Sequence, residues 1–226
     1  MASQPSPAPM LGIRDEVATL KRERTIAAAV KLFYDQGYEN TTLDAVAEQL
    51  GVTKPFIYAH YTSKAELLAE ICTRGIAASL EAIDGALALG RSPTATLVEL
   101  GIRFVTAVLE NQMYIGIFAR EEKNLRHDDF LAIGAMRRDF DRKLTALLEA
   151  GVAAGEFTVH DPHLASLVIG GLVSWSYVWY RPGGRLSLDK VAGELSAMIL
   201  AMVGVGPERR ERPAKRAART KAVARR

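Results

Sequence analysis

Apolar residues recur at three- and four-residue intervals along most of this chain. That is the spacing of helix faces rather than of strands. Over 22–36 the set Ile26, Ala29, Val30, Leu32 and Phe33 makes one broad apolar face that ends at Gly37-Tyr38. A second, shorter set follows: Leu43, Val46, Ala47 and Leu50, closed by Gly51, where a left-handed backbone costs a glycine least. Val52 and Ile57 can dock a further short helix, and Ala47 is small enough to let it cross closely. The other side chains of that helix, Thr53, Lys54, Phe56, Tyr58 and His60, are donors and aromatics with an outward face to fill. Ser63-Lys64-Ala65-Glu66 is a capping-box pattern that opens a longer helix through Leu67, Leu68 and Ile71. Helix, helix, turn, helix and long linking helix is the order of a helix-turn-helix unit, whose second helix keeps a polar face free for the major groove.

Beyond residue 90 the same periodicity predicts helices over 93–111, 114–124, 128–150, 162–180 and 188–203. Ser92-Pro93, Asp161-Pro162 and Ser187 mark starts. Gly85, Gly90, Gly151, Gly155 and Pro182-Gly183-Gly184 read as stops. Alternating β-branched runs are missing, so the expected fold class is all-α: an N-terminal three-helix unit with a helix-turn-helix, then a larger helical domain of the kind that encloses pockets between its helices. The expected boundaries are a leader at 1–13, the helix-turn-helix domain at 14–62, a connecting helix at 63–88, the larger domain at 89–205 and a basic tail at 206–226.

Composition narrows the partners. Hydrophobic residues make up 49% of 226, enough for a sizeable core. The formal charge of +3 is unevenly spread. Residues 207–226 carry nine Lys/Arg and two Glu, a net +7, which leaves −4 for everything before them. DNA affinity of the folded body must therefore come from local placement of Arg14, Lys21, Arg24, Lys54 and Lys64 and from helix N-termini. The tail, nearly free of bulky apolar residues, is expected to be disordered. The single cysteine, Cys72, excludes an internal disulfide framework and fits a reducing, cytoplasmic setting. The Pro/Ser/Ala-rich start has no charged, apolar signal pattern. The apolar run 164–180 is interrupted by Ser and Gly and reads as helix core, not as a membrane span.

Enzyme chemistry has no support. His160-Asp161-Pro162-His163 straddles a helix start and reads as a capping turn rather than a metal site, and Glu121-Glu122 near His127 reads as a solvated face. No Ser-His-Asp order, phosphate loop or CxxC pair occurs, so neither catalytic residues nor a metal or other cofactor is expected.

The segment AAVKLFYDQGYENTTLDAVAEQLGVTKPFIYAHYTSKAELL, 28–68, resembles the TetR family of one-component transcriptional regulators. The likeness rests on Phe33 followed by Gly37-Tyr38, Thr42 four residues before Val46-Ala47, Gly51-Val52-Thr53-Lys54, Tyr58 before His60-Tyr61, and Ser63-Lys64 before a Leu pair. It implies a homodimer that binds a near-palindromic double-stranded DNA operator and is released by a small-molecule effector. Thr53 and Lys54 would start the reading helix, with Pro55 in its first turn. Phe56 and Tyr58 would meet thymine methyls, bases or phosphates. His60 and Lys64 resemble the family's backbone clamps, and Thr42 has both an N-cap and a phosphate contact open to it. Tyr61 is expected to pack beneath the linker.

A second cluster, 174–187, holds both tryptophans with Tyr177, Tyr180, Arg181 and Arg185. Two readings stand: a core plug with a dimer seam, for which Gly170-Gly171 offers close helix approach, or the wall of an effector pocket. The ending WYRPGGRLS, with Phe118-Ala119-Arg120-Glu121, resembles the TetR-type regulators that respond to acyl-CoA thioesters. That likeness implies Trp175, Trp179 and Tyr180 against an apolar group and Arg120, Arg181 or Arg185 near an anionic one. A drug-sensing regulator of efflux and a non-sensing architectural DNA binder are the alternatives.

Overall fold

Cap chemistry sets the helix starts. Thr42 Oγ1 accepts the Ala45 N–H at 3.1 Å, Ser63 Oγ that of Glu66 at 3.3 Å, Ser92 Oγ that of Ala95 at 3.4 Å, Asp161 Oδ1 that of Leu164 at 2.9 Å and Ser187 Oγ that of Lys190 at 3.3 Å. At Ser63 the Glu66 carboxylate reaches back to accept from Thr62 N–H and Oγ1, both at 2.8 Å, and also interacts with the Ser63 backbone.

The computed structural model describes residues 12–206, and the expected leader and basic tail lie almost wholly outside them. The helices are α1 (Ile13–Gln36), α2 (Leu43–Leu50), α3 (Lys54–Tyr58), α4 (Lys64–Leu87), α5 (Pro93–Glu110), α6 (Gln112–Glu121), α7 (His127–Ala153), α8 (Pro162–Ser174), α9 (Ser176–Trp179) and α10 (Leu188–Met202), with a 3-10 turn at Glu122–Asn124 after α6. No strand forms among the described residues. None of their helices is long and apolar enough to cross a membrane.

Four boundaries differ from the sequence expectation. α1 begins at Ile13 rather than near 22, because its charged early turns are helix-compatible, with Asp15 and Glu16 at the favourable N-terminal end. Gly85 lies inside α4 and Gly151 inside α7. Gly151 is there for space: a Cβ would stand 2.0 Å from the Phe157 ring. The expected 162–180 helix is broken at Trp175, which ends α8 and starts α9. There the Ser176 hydroxyl donates to the Val173 carbonyl at 2.6 Å, a local bond that competes with the helix ladder.

Two buried clusters result. The larger joins α4, α5, α7, α8 and α10 through Leu97, Leu100, Leu144, Leu148, Val173 and Ile199. The smaller joins α1 to α4 through Ile26, Phe33, Val46, Ile57, Leu67 and Ile71. It also takes in Ile117 and Phe118 of α6 and Ile133 of α7, so the N-terminal core extends past the expected 14–62 boundary.

Candidate nucleic-acid interface and cavity

α2 and α3 meet at the turn the sequence predicts. Gly51 has φ 65° and ψ 32°, the left-handed form that a side chain would strain, and Val52 N–H closes the turn on the Ala47 carbonyl at 3.0 Å. Ile57 is fully buried and fixes α3 to the core. The opposite side of α3 faces outward, with Thr53, Lys54, Pro55, Tyr58 and His60 exposed and Tyr58 at 50%. Thr42, exposed, caps α2 on the same side.

Several of the expected contacts have additional partners inside the chain. Lys54 is ion-paired to Asp44 of α2, which raises the pKa of its ammonium. The other oxygen of Asp44, Oδ1, is buried without a hydrogen-bond partner in the first turn of α2, where the helix dipole favours negative charge. Phe56 is half-buried, with the Lys21 ammonium 5.4 Å from its ring centre and the His60 ring edge-on at 5.9 Å. Lys64 donates to the Tyr38 and Glu39 carbonyls at 2.8 and 3.3 Å and lies over the Tyr38 ring at 4.2 Å. An ammonium has three donors, so one remains for an outside acceptor.

Tyr61 packs under the linking helix at 2% exposure and donates its hydroxyl to Glu70 at 2.7 Å. Glu70 also accepts from Arg22 and Arg74, and Arg74 holds Glu23 of α1 at 2.6 Å. Burial pushes the Glu70 carboxyl upward, but the bonds from Arg22, Tyr61 and Arg74 outweigh that and hold it below the usual carboxylate range. Burial raises the thiol of nearby Cys72 to about 12, as expected of a core side chain.

α6 supplies a second joint to the N-terminal unit. Arg120 donates to the Tyr34 carbonyl at 3.1 Å and covers the Tyr34 ring at 4.8 Å. Glu121 accepts from Tyr38 N–H at 3.4 Å. Gly116 lets Tyr34 and Tyr177 approach closely; a Cβ there would stand 3.2 and 3.4 Å from their rings.

The inner face of α6 lines a cavity of about 490 Å³. Its walls are Ile76 and Ser79 of α4, Phe104 of α5, Ile115, Phe118 and Ala119 of α6, Phe140 of α7, and Leu167, Gly170, Gly171 and Ser174 of α8, with Trp175 and Tyr177. The charged members are Glu122, Arg137 and Asp141. Of the residues expected against an effector, Trp175 alone is in this wall. Trp179 is exposed at 43%, and Tyr180 is buried in the larger core instead. Arg181 caps the Val178 and Tyr180 carbonyls, and Arg120 serves the joint with α1. Sequence reasoning missed Phe104, Phe140, Arg137 and Asp141. A residue from each of several distant helices carries no local motif; the i,i+4 spacing of Arg137 and Asp141 was the one available signal.

Burial raises the Asp141 carboxyl above its ordinary range, against the attraction of Arg137 and His163. Another face is apolar and uncovered: Leu164, Leu167, Val168 and Trp175 run along α8, with Met198 and Met202 exposed on α10.

Comparison with known proteins adds a family to this geometry. Residues 26–71 match the bacterial regulatory proteins, tetR family, and residues 90–203 match the tetracyclin repressor-like, C-terminal domain. The HTH-type transcriptional repressor KstR2 of Rhodococcus jostii strain RHA1 is 26% identical over 182 residues, covering 80% of this chain and 89% of that one. The TetR family transcriptional regulator PfmR of Thermus thermophilus aligns with a TM-score of 0.73 at 29% identity, over 79% of this chain and 97% of the other. AibR, solved in complex with isovaleryl coenzyme A and operator DNA, aligns at 0.69 and 23% identity over 79% and 97%, a likeness of fold.

Proposed function

Because the chain belongs to the TetR family of bacterial regulatory proteins, we propose that it is a DNA-binding transcriptional repressor released from its operator by an acyl-CoA thioester bound in the cavity of the larger domain. The observation that carries this reading is the double duty of α6. One side of that helix lines the cavity with Ile115, Phe118 and Ala119; its neighbouring residues Arg120 and Glu121 hold the C-terminal end of α1. A ligand that fits one position of α6 better than another shifts the orientation of the reading helices by that difference in affinity.

The outward side of α3 supports DNA contact. Thr53 and Lys54 stand where the helix start favours phosphate, Tyr58 reaches toward bases, and Thr42, His60 and Lys64 hold the backbone. Phe56 gives its exposed edge to a thymine methyl. Two such helices, one from each protomer of a homodimer, enter successive major grooves of a near-palindromic site. The exposed apolar stripe of α8 and α10 supports the dimer: Leu164, Leu167, Val168 and Trp175 recur at the spacing of a helix seam and stay exposed among the described residues.

The aromatic walls suit an acyl or ring body, and AibR, which shares the fold, was solved with a short acyl-CoA and operator DNA together. Glu122 and Asp141 in the wall favour a second reading, a regulator that senses cationic drugs. The test is operator binding by fluorescence anisotropy with octanoyl-CoA, octanoate or a quaternary ammonium drug added. Release by the thioester alone supports the first reading; release by the drug alone replaces it with the second. Salt-dependent binding without site preference would make the protein an architectural binder instead.

A further inference from the structure

The helix α7 carries many charged side chains, and several of them are ion-paired. Arg126 pairs with Asp129 at 2.7 Å, Arg142 pairs with Asp139, and Lys143 holds both Asp139 and Asp84 of α4. Arg137 and Asp141 are also one helical turn apart, yet they form no ion pair or hydrogen bond with each other. Both stand in the cavity wall. The Arg137 guanidinium lies over the Phe118 ring at 5.5 Å, and Asp141, half-buried, lies within the field of His163 of α8. A basic residue preceding an acidic one by four is the weaker order for a helix pair, so little holds them together when a ligand offers each a better partner.

We propose that these two side chains recognise the polar arm of the effector: Arg137 meets an anionic group, and Asp141 accepts from a hydrogen-bond donor about one turn, or roughly 6 Å, further along α7. This rests on reading the cavity as the effector site. The ligand class that fits is an apolar acyl or ring body on an arm that bears both N–H or O–H donors and a phosphate, as a coenzyme A thioester does. A free fatty carboxylate supplies the anion without the donor and faces two carboxylates, Glu122 and Asp141, for one guanidinium. A quaternary ammonium drug supplies neither donor nor anion and meets Arg137 unfavourably.

Calorimetric titration of the full-length protein with octanoyl-CoA, S-octanoyl pantetheine, octanoate and a quaternary ammonium drug separates these cases. The pantetheine thioester keeps the acyl chain and the amide donors but lacks phosphate. Arg137→Gln should weaken octanoyl-CoA about tenfold and leave S-octanoyl pantetheine within about twofold. Asp141→Leu should weaken both thioesters about tenfold and leave octanoate unchanged or tighter, since it removes a repelling charge. Asp141→Asn, which retains one acceptor oxygen, should fall between Asp141→Leu and wild type, and circular dichroism of each variant checks that it is folded. If the wild type binds the thioesters and Arg137→Gln or Asp141→Leu in folded protein changes nothing, the assignment to α7 is overturned while the effector reading stands. If the wild type binds the drug and neither thioester, both fall.

Discussion

Among the described residues, two outward faces differ in kind. The outer side of α2 and α3 presents Thr42, Thr53, Lys54, Tyr58 and His60; the outer side of α8 and α10 presents Leu164, Leu167, Val168, Trp175 and Met198. Both are rigidly backed by core side chains, Ile57 behind the first and Ile169 and Val173 behind the second. The contrast shows what each face requires. A polar face survives in water and gains from a charged polymer through contacts that salt screens. An apolar face is costly in water and gains from a dry partner, with little dependence on salt.

Charging the apolar face should break that contrast most strongly. Leu164→Asp with Val168→Asp places unpaired carboxylates in the proposed seam, at about 3 kcal/mol or more per protomer. Sedimentation should show the dimer dissociating, and operator affinity should fall because a monomer offers one reading helix. An undiminished dimer would move the seam elsewhere.

On the polar face the losses should be smaller and of another character. Lys54→Ala and Tyr58→Ala should each cost about 1–3 kcal/mol per half-site. Lys54→Ala should also flatten the salt dependence of operator binding, measured by anisotropy from low to high ionic strength. Dimer dissociation should be unchanged in both.

Between the two faces lies the α1–α6 joint. Arg120→Ala removes the bond to the Tyr34 carbonyl and the cover over its ring. Effector-free operator binding should change little, while the effector-induced loss of affinity should shrink by about 0.5–2 kcal/mol. Equal release by the variant and the wild type would place the coupling outside this contact.

The smallest effect expected is a pH dependence. Because the folded-state pKa of Glu70 is depressed, its stabilising contribution is complete above the unfolded value of about 4.3 and is lost as pH falls below it. Urea unfolding of wild type and Glu70→Gln should differ at neutral pH and converge toward acid. A gap that persists at low pH would assign the effect of Glu70 to packing.

The N-terminal unit was legible because its determinants are local. A cap at Thr42, a turn at Gly51 and anchors at Val46 and Ile57 lie within a few residues of one another and dictate which side of α3 faces out. The family likeness covers the same stretch. The cavity was not legible, because helices from α4 to α9 contribute to its wall and each contribution looks like ordinary core spacing. Arg137 and Asp141 stand only four residues apart in a charged stretch, with no local motif to mark them. Arg120 was assigned to the effector by resemblance, whereas its geometry depends on α6 crossing α1, a contact between residues 86 positions apart. The clustering of Trp175, Trp179 and Tyr180 in sequence does not carry over to one surface: the break at Trp175 sends one ring to the cavity wall, one to the surface and one into the core.

Ile117 and Phe118 of α6 and Ile133 of α7 complete the core that carries the helix-turn-helix. Regulators of this architecture invite recombination, with the reader of one protein grafted onto the sensor of another. Here the seam for such a graft cannot be a single point in the chain. A chimera joined within α4 would ask foreign α6 and α7 side chains to fill holes shaped for Ile117 and Ile133, and an ill-fitting pair would cost about 2–5 kcal/mol. A working hybrid must transplant that strip of α6 and α7 together with the first four helices, so the heritable module is a three-dimensional block rather than a continuous length of gene.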